Sequence, residues 1–363
     1  MNHQRNDFGD GQPRTGETLA SAAKLLKGKE LIGGWKVIHH LTREEKGSTG
    51  GSFSESYIIE DKDGKKAFLK AVDFSKALGA DDPAKKLEEV TKAFNFERQI
   101  LKICAERRMS RVVTPIESGV IDIQEAEGPP VTQYLIFELA DGNLRYHISK
   151  AKEYENAWKF SALHQIAVGM DQLHNGGISH QDLKPSNVLM YNGNGAKLCD
   201  LGRSISKDLE APHQDYVIAG DRGYAPPELI YQYIHPDINV RRFACDAYLM
   251  GSMVCFIFTG VPFVQMMLFC LRNEHKPANW GGDFHGVLPY LRDAFGLAID
   301  RFSMHVPDQY RERLTTVVQQ LCEPDPNLRG HPRSRLSLGN SYRLDRYISL
   351  FDLLATSARA LRH

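Results

Sequence analysis

The stretch ISHQDLKPSNVLM (residues 178–190) constrains the fold of this chain more than any other. It holds Asp182, Lys184 and Asn187 at steps of two and three residues, between apolar residues that belong in a core. A helix with apolar residues at three- and four-residue spacing is predicted just before it, and Gly176-Gly177 ends that helix. The sequence therefore predicts a polar loop at the end of a helix, on the side of a cleft.

The residue types in this loop point to one kind of chemistry. Asp182 can accept or orient a proton, Lys184 can hold an anion, and Asn187 offers a carbonyl oxygen to a hard cation. Asp200 follows in the stretch CDLGRS and supplies a second oxygen ligand. Each residue alone is most simply a solvated loop residue. Together, two cation ligands beside a base and a lysine are what phosphoryl transfer from Mg-ATP requires.

The chain divides into a strand-rich part and a helical part. Its 363 residues suggest one large domain or two lobes. We expect a flexible segment at 1–30, a small lobe at 31–140, and a helical lobe with a C-terminal helical extension at 141–363. Within the small lobe the periodicity predicts five strands and one helix: strands at 35–41, 53–60, 66–74, 111–120 and 131–138, and a helix at 83–106. This is an α+β class, and its cleft is the expected ligand site.

Bulk properties favour a cytoplasmic protein. The formal net charge is zero, so no general attraction to nucleic acid or an anionic membrane is expected. The six cysteines form no CxxC pair, which disfavours a zinc site or a disulfide framework. No signal peptide is recognisable at the N-terminus. The apolar stretch 247–267 contains glycines, a proline and polar residues, so we interpret it as a buried helix and its exit loop.

With these motifs in hand, the chain resembles the eukaryotic-like, bacterial-type Ser/Thr protein kinases over about residues 35–335. HQDLKPSN (180–187) resembles their catalytic loop, and DLG (200–202) resembles their magnesium-binding motif. The resemblance implies a bilobal fold with a small antiparallel β-rich N-lobe plus one helix, and a larger, mostly helical C-lobe. It also implies Asp182 as base, Lys184 beside the γ-phosphate, and Asn187 and Asp200 as ligands of Mg²⁺, or of Mn²⁺ in its place.

The resemblance also assigns an ATP site. Lys70 in AFLKAVD matches the lysine that holds the α- and β-phosphates, and Glu97 in NFERQIL matches its ion-pair partner. GSTGGSFSESY (47–57) is similar to the glycine-rich turn over the phosphates, in a degenerate form. Phe137 matches the gatekeeper before the hinge. The implied nucleotide contacts are Gly50, Gly51, Ser52, Phe53, Phe68, Lys70, Glu138, Ala140 and Leu189.

Two adenine-pocket positions depart from the family. Phe68 stands where a small alanine is usual, and Ser56 where a valine is usual. Our hypothesis is that the two changes compensate in volume and keep a close-packed slot.

Downstream motifs favour a protein substrate. GDRGYAPPE (220–228) resembles the end of an activation segment, and CDAYLMG (245–251) resembles the buried-helix motif whose Asp246 braces the catalytic loop. Arg329 is then the expected buried partner of Glu228. Small-molecule kinases usually lack this platform.

Two departures bear on regulation. Gln181 replaces the arginine that normally receives an activation-loop phosphate, so we predict activity without loop phosphorylation. Asp221 stands where Ser/Thr kinases carry a threonine, and its carboxylate would either pair with Lys184 or repel Asp182. Ser/Thr specificity is favoured because Lys184 is typical of that group.

Three functions stay open on the sequence alone. The leading one is an active Ser/Thr protein kinase with a protein substrate. The second is a nucleotide-binding pseudokinase or scaffold, which the degenerate glycine turn favours. The third is a small-molecule phosphotransferase, which Glu228 and Arg329 oppose. A regulatory protein partner is also expected, with residues 276–286 as a candidate surface.

Overall fold

The computed structural model describes residues 20–42, 53–150, 155–193, 195–336 and 341–361. The strands are β1 (Lys36–His40), β2 (Ser54–Glu60), β3 (Lys66–Val72), β4 (Pro115–Asp122), β5 (Val131–Glu138), β6 (Ile178–Ser179), β7 (Val188–Tyr191), β8 (Gly195–Leu198) and β9 (Ile205–Ser206). The helices are α1 (Ser75–Leu78), α2 (Pro83–Glu106), α3 (Leu144–Lys150), α4 (Asn156–Asn175), α5 (Pro227–Ile230), α6 (Ile238–Thr259), α7 (Phe263–Cys270), α8 (Phe284–Ser303), α9 (Asp308–Leu321), α10 (Pro332–Arg335) and α11 (Asp345–Ala360). Short 3₁₀ turns occupy Ala22–Leu25, Ile32–Gly34, Pro185–Asn187, Leu201–Arg203 and Asn273–His275.

An antiparallel sheet in the order β1–β2–β3–β5–β4 forms the small lobe. Lys70 on the central strand β3 pairs with Ser56 of β2 and with Leu135 of β5. Because side chains alternate along a strand, Lys70 and Phe68 share one face and Leu69 lies on the other. The predicted α+β architecture, with a strand-rich lobe and a larger helical lobe, is confirmed.

Residues 20–35 cover the outer face of this sheet. Leu26 is fully buried there, and the Tyr57 hydroxyl donates a hydrogen bond to the Ala23 carbonyl oxygen at 2.6 Å. This differs from the flexible segment expected at 1–30. The described part of that segment is packed, because its small and apolar side chains fill a second core on the outer face. The rest of the expected segment lies outside the described residues.

Helix α2 has the bounds that the sequence predicts. The Asp82 side chain accepts a hydrogen bond from the Lys85 backbone N–H, and Pro83 occupies the first turn, which together begin the helix. Its apolar stripe, including Ile100 and Leu101, packs into the core between the lobes. This packing carries Glu97, on the same helix, to the inner face of the sheet.

The strand predicted at 111–120 begins later, at Pro115. The backbone N–H of Val113 donates to the Leu198 carbonyl oxygen, and the N–H of Leu198 donates to that of Arg111, each at 2.8 Å. Residues 111–113 therefore pair with β8 of the large lobe and not with the small-lobe sheet. The local sequence favours extended backbone here, but a long-range partner decides where it pairs.

The large lobe is built around α6, which is buried for most of its length. In the described part of the chain, α6 is the one helix long and apolar enough to cross a membrane, and as a mostly buried core helix it is weak support for a membrane span. Gly260, with φ of 75°, ends the helix. The predicted exit loop is short, since α7 already begins at Phe263. The expected C-terminal helical extension corresponds to α11, which packs along α4.

Candidate active site

The loop between β6 and β7 holds the carboxylate of Asp182 in place. Its Oδ1 atom accepts a hydrogen bond from the backbone N–H of Asp221 at 2.7 Å, and its Oδ2 atom accepts one from the Asn187 amide at 3.1 Å. The Lys184 ammonium nitrogen lies 3.1 Å from the same Oδ2 atom. Asp182 is buried, and these three groups each contact its carboxylate as donors. The structure thus brings together the residues that the sequence predicted as one constellation.

A buried carboxylate on α6, that of Asp246, binds the backbone of this loop. Asp246 accepts hydrogen bonds from the backbone N–H groups of His180 at 2.7 Å and Gln181 at 2.8 Å. His174, at the end of α4, lies 2.8 Å from the same carboxylate. Gln181 has a positive φ of 65°, which non-glycine residues seldom adopt and which these bonds stabilise. The predicted bracing role of Asp246 is confirmed.

Lys70 connects the two lobes electrostatically. Its ammonium nitrogen lies 2.8 Å and 2.9 Å from the two carboxylate oxygens of Glu97, and 3.6 Å from Oδ1 of Asp200. Burial opposes the charge on Lys70, but the two carboxylates outweigh burial and raise the pKa of Lys70 well above its usual value. Burial also opposes the charge on Asp200, and Lys70 overcomes this and lowers the pKa of Asp200. Lys70 and Asp200 are therefore favoured in their charged forms, whereas burial raises the pKa of Glu97 against the opposing effect of Lys70.

Asn187 and Asp200 each carry a side-chain oxygen of the kind that binds a hard divalent cation. The Asn187 amide nitrogen donates to the Asp182 carbonyl oxygen at 2.8 Å, which leaves its Oδ1 as the acceptor end, 3.4 Å from the Ser186 hydroxyl. Among the described residues, no cluster of three or more His, Cys, Asp or Glu side chains could hold a metal. A cation at Asn187 and Asp200 therefore needs further oxygens from nucleotide phosphates and water, as magnesium accepts.

Asp221 pairs with Lys184, which also contacts Asp182. Its Oδ2 atom lies 3.4 Å from the Lys184 ammonium, and its Oδ1 atom accepts a hydrogen bond from the Gly223 N–H at 2.8 Å. Burial opposes the charge on Lys184, but Asp182 and Asp221 outweigh it and raise the pKa of Lys184. Lys184 is thus shared between two carboxylates, and of the two alternatives left open by the sequence, pairing is the one observed.

The inner face of the sheet carries the expected adenine-pocket residues. Phe68 of β3 lies directly opposite Phe137 of β5, with ring centroids 6.4 Å apart and tilted by 43°. Ser56 is buried on the same face. Leu189 on β7 is partly buried and packs against the main core. The small Ser56 and the large Phe68 therefore occupy neighbouring strands on one face, as the volume hypothesis requires.

The hinge between the lobes is held from the large lobe. The Glu138 carboxylate pairs with Lys197 at 2.8 Å, and the Tyr191 hydroxyl lies 3.5 Å from the Glu138 carbonyl oxygen. Ala140 is partly buried and packs against the main core. The backbone N–H of Asp141 donates a hydrogen bond to the carbonyl oxygen of Met190 on β7 at 2.9 Å, so the chain that follows Glu138 is attached to the large lobe.

Only one end of the glycine-rich turn falls in the described part of the chain. Gly50, Gly51 and Ser52 lie outside the described residues. Phe53 directly precedes β2, where its carbonyl oxygen accepts a hydrogen bond from the Asp73 N–H at 3.0 Å. The Lys86 ammonium lies 5.4 Å from the Phe53 ring centroid. Phe53 is therefore attached to the end of β3 and to α2.

The predicted buried ion pair of the large lobe is present. Two nitrogens of the Arg329 guanidinium each donate to one oxygen of Glu228 at 2.8 Å, and Arg329 is fully buried. Arg329 also donates to the Ala244 carbonyl oxygen of α6 at 2.9 Å. The pair fixes α5, and with it the end of the segment that contains Asp221, to the helical core.

Three residues of the site escaped the sequence analysis. Arg242 is buried on α6 and donates to the carbonyl oxygens of Gly177 at 2.6 Å and Ile205 at 3.0 Å. Its spacing of four residues from Asp246 places both on one helix face, which was an available signal. Gly220 passes close to the catalytic loop, and Arg145 of α3 contacts the segment after Asp221. Neither of these two contacts has a local sequence signature.

Comparison with known proteins agrees with this geometry. The family model of the protein kinase domain matches residues 50–337. The chain is 26% identical over 289 residues to the hormonally up-regulated neu tumor-associated kinase of Homo sapiens, which covers 78% of this chain and 34% of that protein. It is 30% identical over 130 residues to an Aurora kinase of Debaryomyces hansenii, which covers 36% of this chain and 30% of that protein.

A plant relative adds a third match. Mitogen-activated protein kinase 5 of Oryza sativa subsp. indica is 28% identical over 149 residues, which covers 40% of this chain and 39% of that protein. The chain thus spans between 30% and 39% of the length of these three relatives.

Proposed function

The chain belongs to the protein kinase domain family, and from that premise we propose that it transfers the γ-phosphate of ATP to serine or threonine hydroxyls of a protein substrate. The observation that carries the proposal is the environment of Asp182. Its carboxylate is buried, accepts hydrogen bonds from Asn187 and Asp221, and pairs with Lys184 in the cleft that also holds Lys70. A carboxylate fixed in this way can orient a hydroxyl without paying for its own ordering during the reaction.

Each charged group then has a distinct task. Asp182 accepts a hydrogen bond from the acceptor hydroxyl and takes its proton as the phosphoryl group transfers. Lys184 lies beside that carboxylate and stabilises negative charge on the transferring group. Lys70, oriented by the two oxygens of Glu97, binds the α- and β-phosphates. Catalysis is thus mainly positioning and electrostatic stabilisation.

Asn187 and Asp200 would hold the divalent cation that accompanies ATP. Magnesium bound there supplies positive charge that neutralises the phosphate oxygens. The lowered pKa of Asp200 supports this role, because it keeps the carboxylate ionised and able to act as a ligand. The Asn187 amide is held by the Asp182 carbonyl oxygen, so its oxygen is preset as the second ligand.

The test is phosphoryl transfer from radiolabelled ATP by the purified protein, to itself and to co-purified proteins. Asp182→Asn should lower transfer by about a thousandfold or more, because it removes the base and the charge that orients the hydroxyl. Asp352→Asn, an exposed acid on α11, is the matched control and should retain transfer. Nucleotide binding without any transfer would favour the pseudokinase, and transfer that Asp182→Asn leaves intact would exclude the proposed site.

The Glu228–Arg329 pair supports a protein substrate over a small molecule. It anchors α5 to α6, and the segment that leads into α5 runs past Asp182. A fixed segment beside the acceptor position is a surface on which an extended peptide can lie. Phosphorylated proteins in the assay would support this assignment, and a phosphorylated metabolite with no phosphorylated protein would contradict it.

We further propose that activity does not require phosphorylation of the activation segment. The Gln181 amide nitrogen donates to the Arg242 carbonyl oxygen at 2.8 Å, so this side chain points into α6. Arg242 in turn binds Gly177 beside β6 and Ile205 of β9. The segment is thereby attached to the catalytic loop by a permanent guanidinium, where a phosphate-dependent kinase needs a new charge.

The hydroxyl groups of the segment support the same proposal. Of those between Asp200 and Glu228, Ser204, Ser206 and Tyr224 are buried, and Tyr216 is 57% exposed. Tyr216→Phe together with phosphatase treatment should therefore change the rate by less than about twofold, since no buried hydroxyl is open to a kinase. Loss of activity after phosphatase treatment that returns on rephosphorylation would contradict this.

A further inference from the structure

Arg145, in the first turn of α3, lies against the activation segment. Its Nη2 atom donates a hydrogen bond to the Tyr224 hydroxyl at 2.6 Å. The centre of the guanidinium is 5.9 Å from the ring centroid of Tyr224 and 5.9 Å from that of Phe256 on α6. Two aromatic rings and one hydroxyl therefore fix the position of this cation.

The charge of Arg145 has no acidic partner in the described part of the chain. None of the ion pairs among the described residues includes it, and its buried Nε atom has no hydrogen-bond acceptor there. A guanidinium presents five N–H donors, and leaving buried donors unsatisfied is costly. The contact with a neutral hydroxyl does not balance the charge, and the side chain is partly exposed, so an anion from solution can reach it.

Arg145 is also connected to the proposed base through Tyr224 and Asp221. The Tyr224 backbone N–H donates to the Asp221 carbonyl oxygen at 3.0 Å, and the Asp221 N–H donates to the Asp182 carboxylate at 2.7 Å. The hydroxyl that holds Arg145 thus belongs to the short segment that also orients Asp182. A peptide with its acceptor hydroxyl at Asp182 would have a neighbouring side chain within reach of the guanidinium.

We propose that Arg145 is a specificity-determining residue that binds an anionic side chain of the substrate, close in sequence to the acceptor hydroxyl. This rests on the proposed function, because it assigns the substrate class of the same site. The shared chemistry is an oxyanion, which a glutamate, an aspartate or a previously phosphorylated residue can supply. The planar guanidinium binds such groups with two parallel hydrogen bonds, and the aromatic rings leave it preorganised.

The experiment uses a peptide library with a central serine or threonine. Each flanking position is fixed in turn as Asp, Glu, phosphoserine, Ala or Lys, and kcat/KM is measured with the full chain. At one position we expect an acidic or phosphorylated residue to exceed Ala by about tenfold or more, the scale of one charge-assisted hydrogen bond. A preference for Asp and Glu alone identifies a carboxylate substrate, and a preference for phosphoserine alone identifies a primed one.

Variants test whether Arg145 is the source of the preference. In Arg145→Gln the ratio to the Ala peptide should fall to about one. Arg145→Lys keeps the charge but loses the planar guanidinium. Its ratio of kcat/KM for the anionic peptide to that for the Ala peptide should therefore lie between those of the wild type and Arg145→Gln. Arg313→Gln removes an equal charge from the exposed face of α9 and should leave the ratio unchanged. Peptide binding measured by fluorescence anisotropy gives a second readout, which decides the question if Arg145→Gln transfers too slowly.

Different results would contradict the role of Arg145 and the proposed function. If the wild-type protein phosphorylates no library peptide and no protein, the proposed function fails. If it phosphorylates peptides without an anionic preference, or if Arg145→Gln keeps that preference, Arg145 is not a specificity residue and the proposed function stands.

Discussion

Gly220 shows how a single residue without a side chain sets the geometry of the proposed base. A Cβ atom at this position would lie 2.4 Å from the Gln181 carbonyl oxygen and 2.7 Å from Oδ1 of Asp182. Both distances are shorter than any van der Waals contact. The segment can therefore approach closely enough for the Asp221 N–H to reach Asp182 only if residue 220 is glycine.

Gly220→Ala should accordingly impair transfer far more than folding. The added methyl group must push the segment away from the catalytic loop, which breaks the 2.7 Å bond from Asp221 to Asp182. We expect kcat to fall by about a hundredfold, as for a displacement near 1 Å. Gly223→Ala is the control, because its Cβ would meet no atom closer than 3.2 Å. Equal losses of kcat in the two variants would contradict this account.

Phe68 is a second single residue whose side chain is expected to shape a binding site, here the adenine pocket. Its ring packs near Phe137 on the inner face of the sheet, and the small, buried Ser56 lies on the same face of the neighbouring strand. Phe68→Ala should weaken ATP binding by about tenfold, since it removes most of an aromatic ring from an apolar slot. Isothermal titration calorimetry with ATP and Mg²⁺ measures this directly. Unchanged affinity would show that the ring does not contact the base, and would end the hypothesis that Phe68 and Ser56 compensate in volume.

At the scale of elements, the segment 20–35 acts as an additional layer of the small lobe. Within this segment, the side chain of Leu26 is fully buried, whereas that of Ile32 is 59% exposed. Leu26→Ala should lower the free energy of unfolding by about 3 kcal/mol, because a buried cavity remains. Ile32→Ala should change it by less than about 0.5 kcal/mol, as exposed positions do. Urea unfolding of both variants tests this, and a similar small effect for both would mean that the layer is not part of the cooperative unit.

Elements with strong local signals were predictable from the sequence. Helix α2 has a capping Asp82, Pro83 in its first turn and a continuous apolar stripe, so its bounds follow from local chemistry. Residues 111–113 have no such signal to choose between partners, and pairing with β8 was decided by the other lobe. The two-stranded pairs β6–β9 and β7–β8 are too short to carry a periodicity at all.

The same distinction holds for the candidate site. Asp182, Lys184, Asn187 and Asp200 could be predicted because their spacing along the chain is itself the signal. Arg145 and Gly220 could not, because their roles depend on contacts between segments that are far apart in sequence. Asp221 lies between these cases. Its unusual identity was visible, but its pairing with Lys184 required the folded geometry.

At the scale of the molecule, charged and apolar contacts join the two lobes. Lys70 of the small lobe pairs with Glu97 and approaches Asp200 of the large lobe. Leu101 of α2 and Leu201 after Asp200 are both buried in the core that runs between the lobes. Any displacement of α2 would therefore disturb the phosphate-binding lysine and the proposed cation ligand together.

His213 makes a third connection between the lobes, and this one depends on pH. It is buried on the activation segment, with its ring 5.8 Å from Phe96 of α2 and one nitrogen 3.0 Å from the Ser204 carbonyl oxygen. Burial lowers the pKa of His213 below its usual value of about 6.5. The unfolded chain therefore binds the proton more readily than the folded protein. The stability contributed by a neutral His213 is present above about pH 6.5 and is lost as the pH falls below that value.

Urea unfolding between about pH 7.5 and about pH 5.5 should therefore show a declining midpoint for the wild-type protein, and a shallower decline for His213→Gln, which cannot take up the proton. Burial also lowers the pKa of His331, so part of the decline should remain in that variant. The quantity that decides is the difference between the two curves, which isolates His213 because all other titrating groups are shared. Parallel curves would show that protonation of His213 does not loosen the contact between α2 and the activation segment.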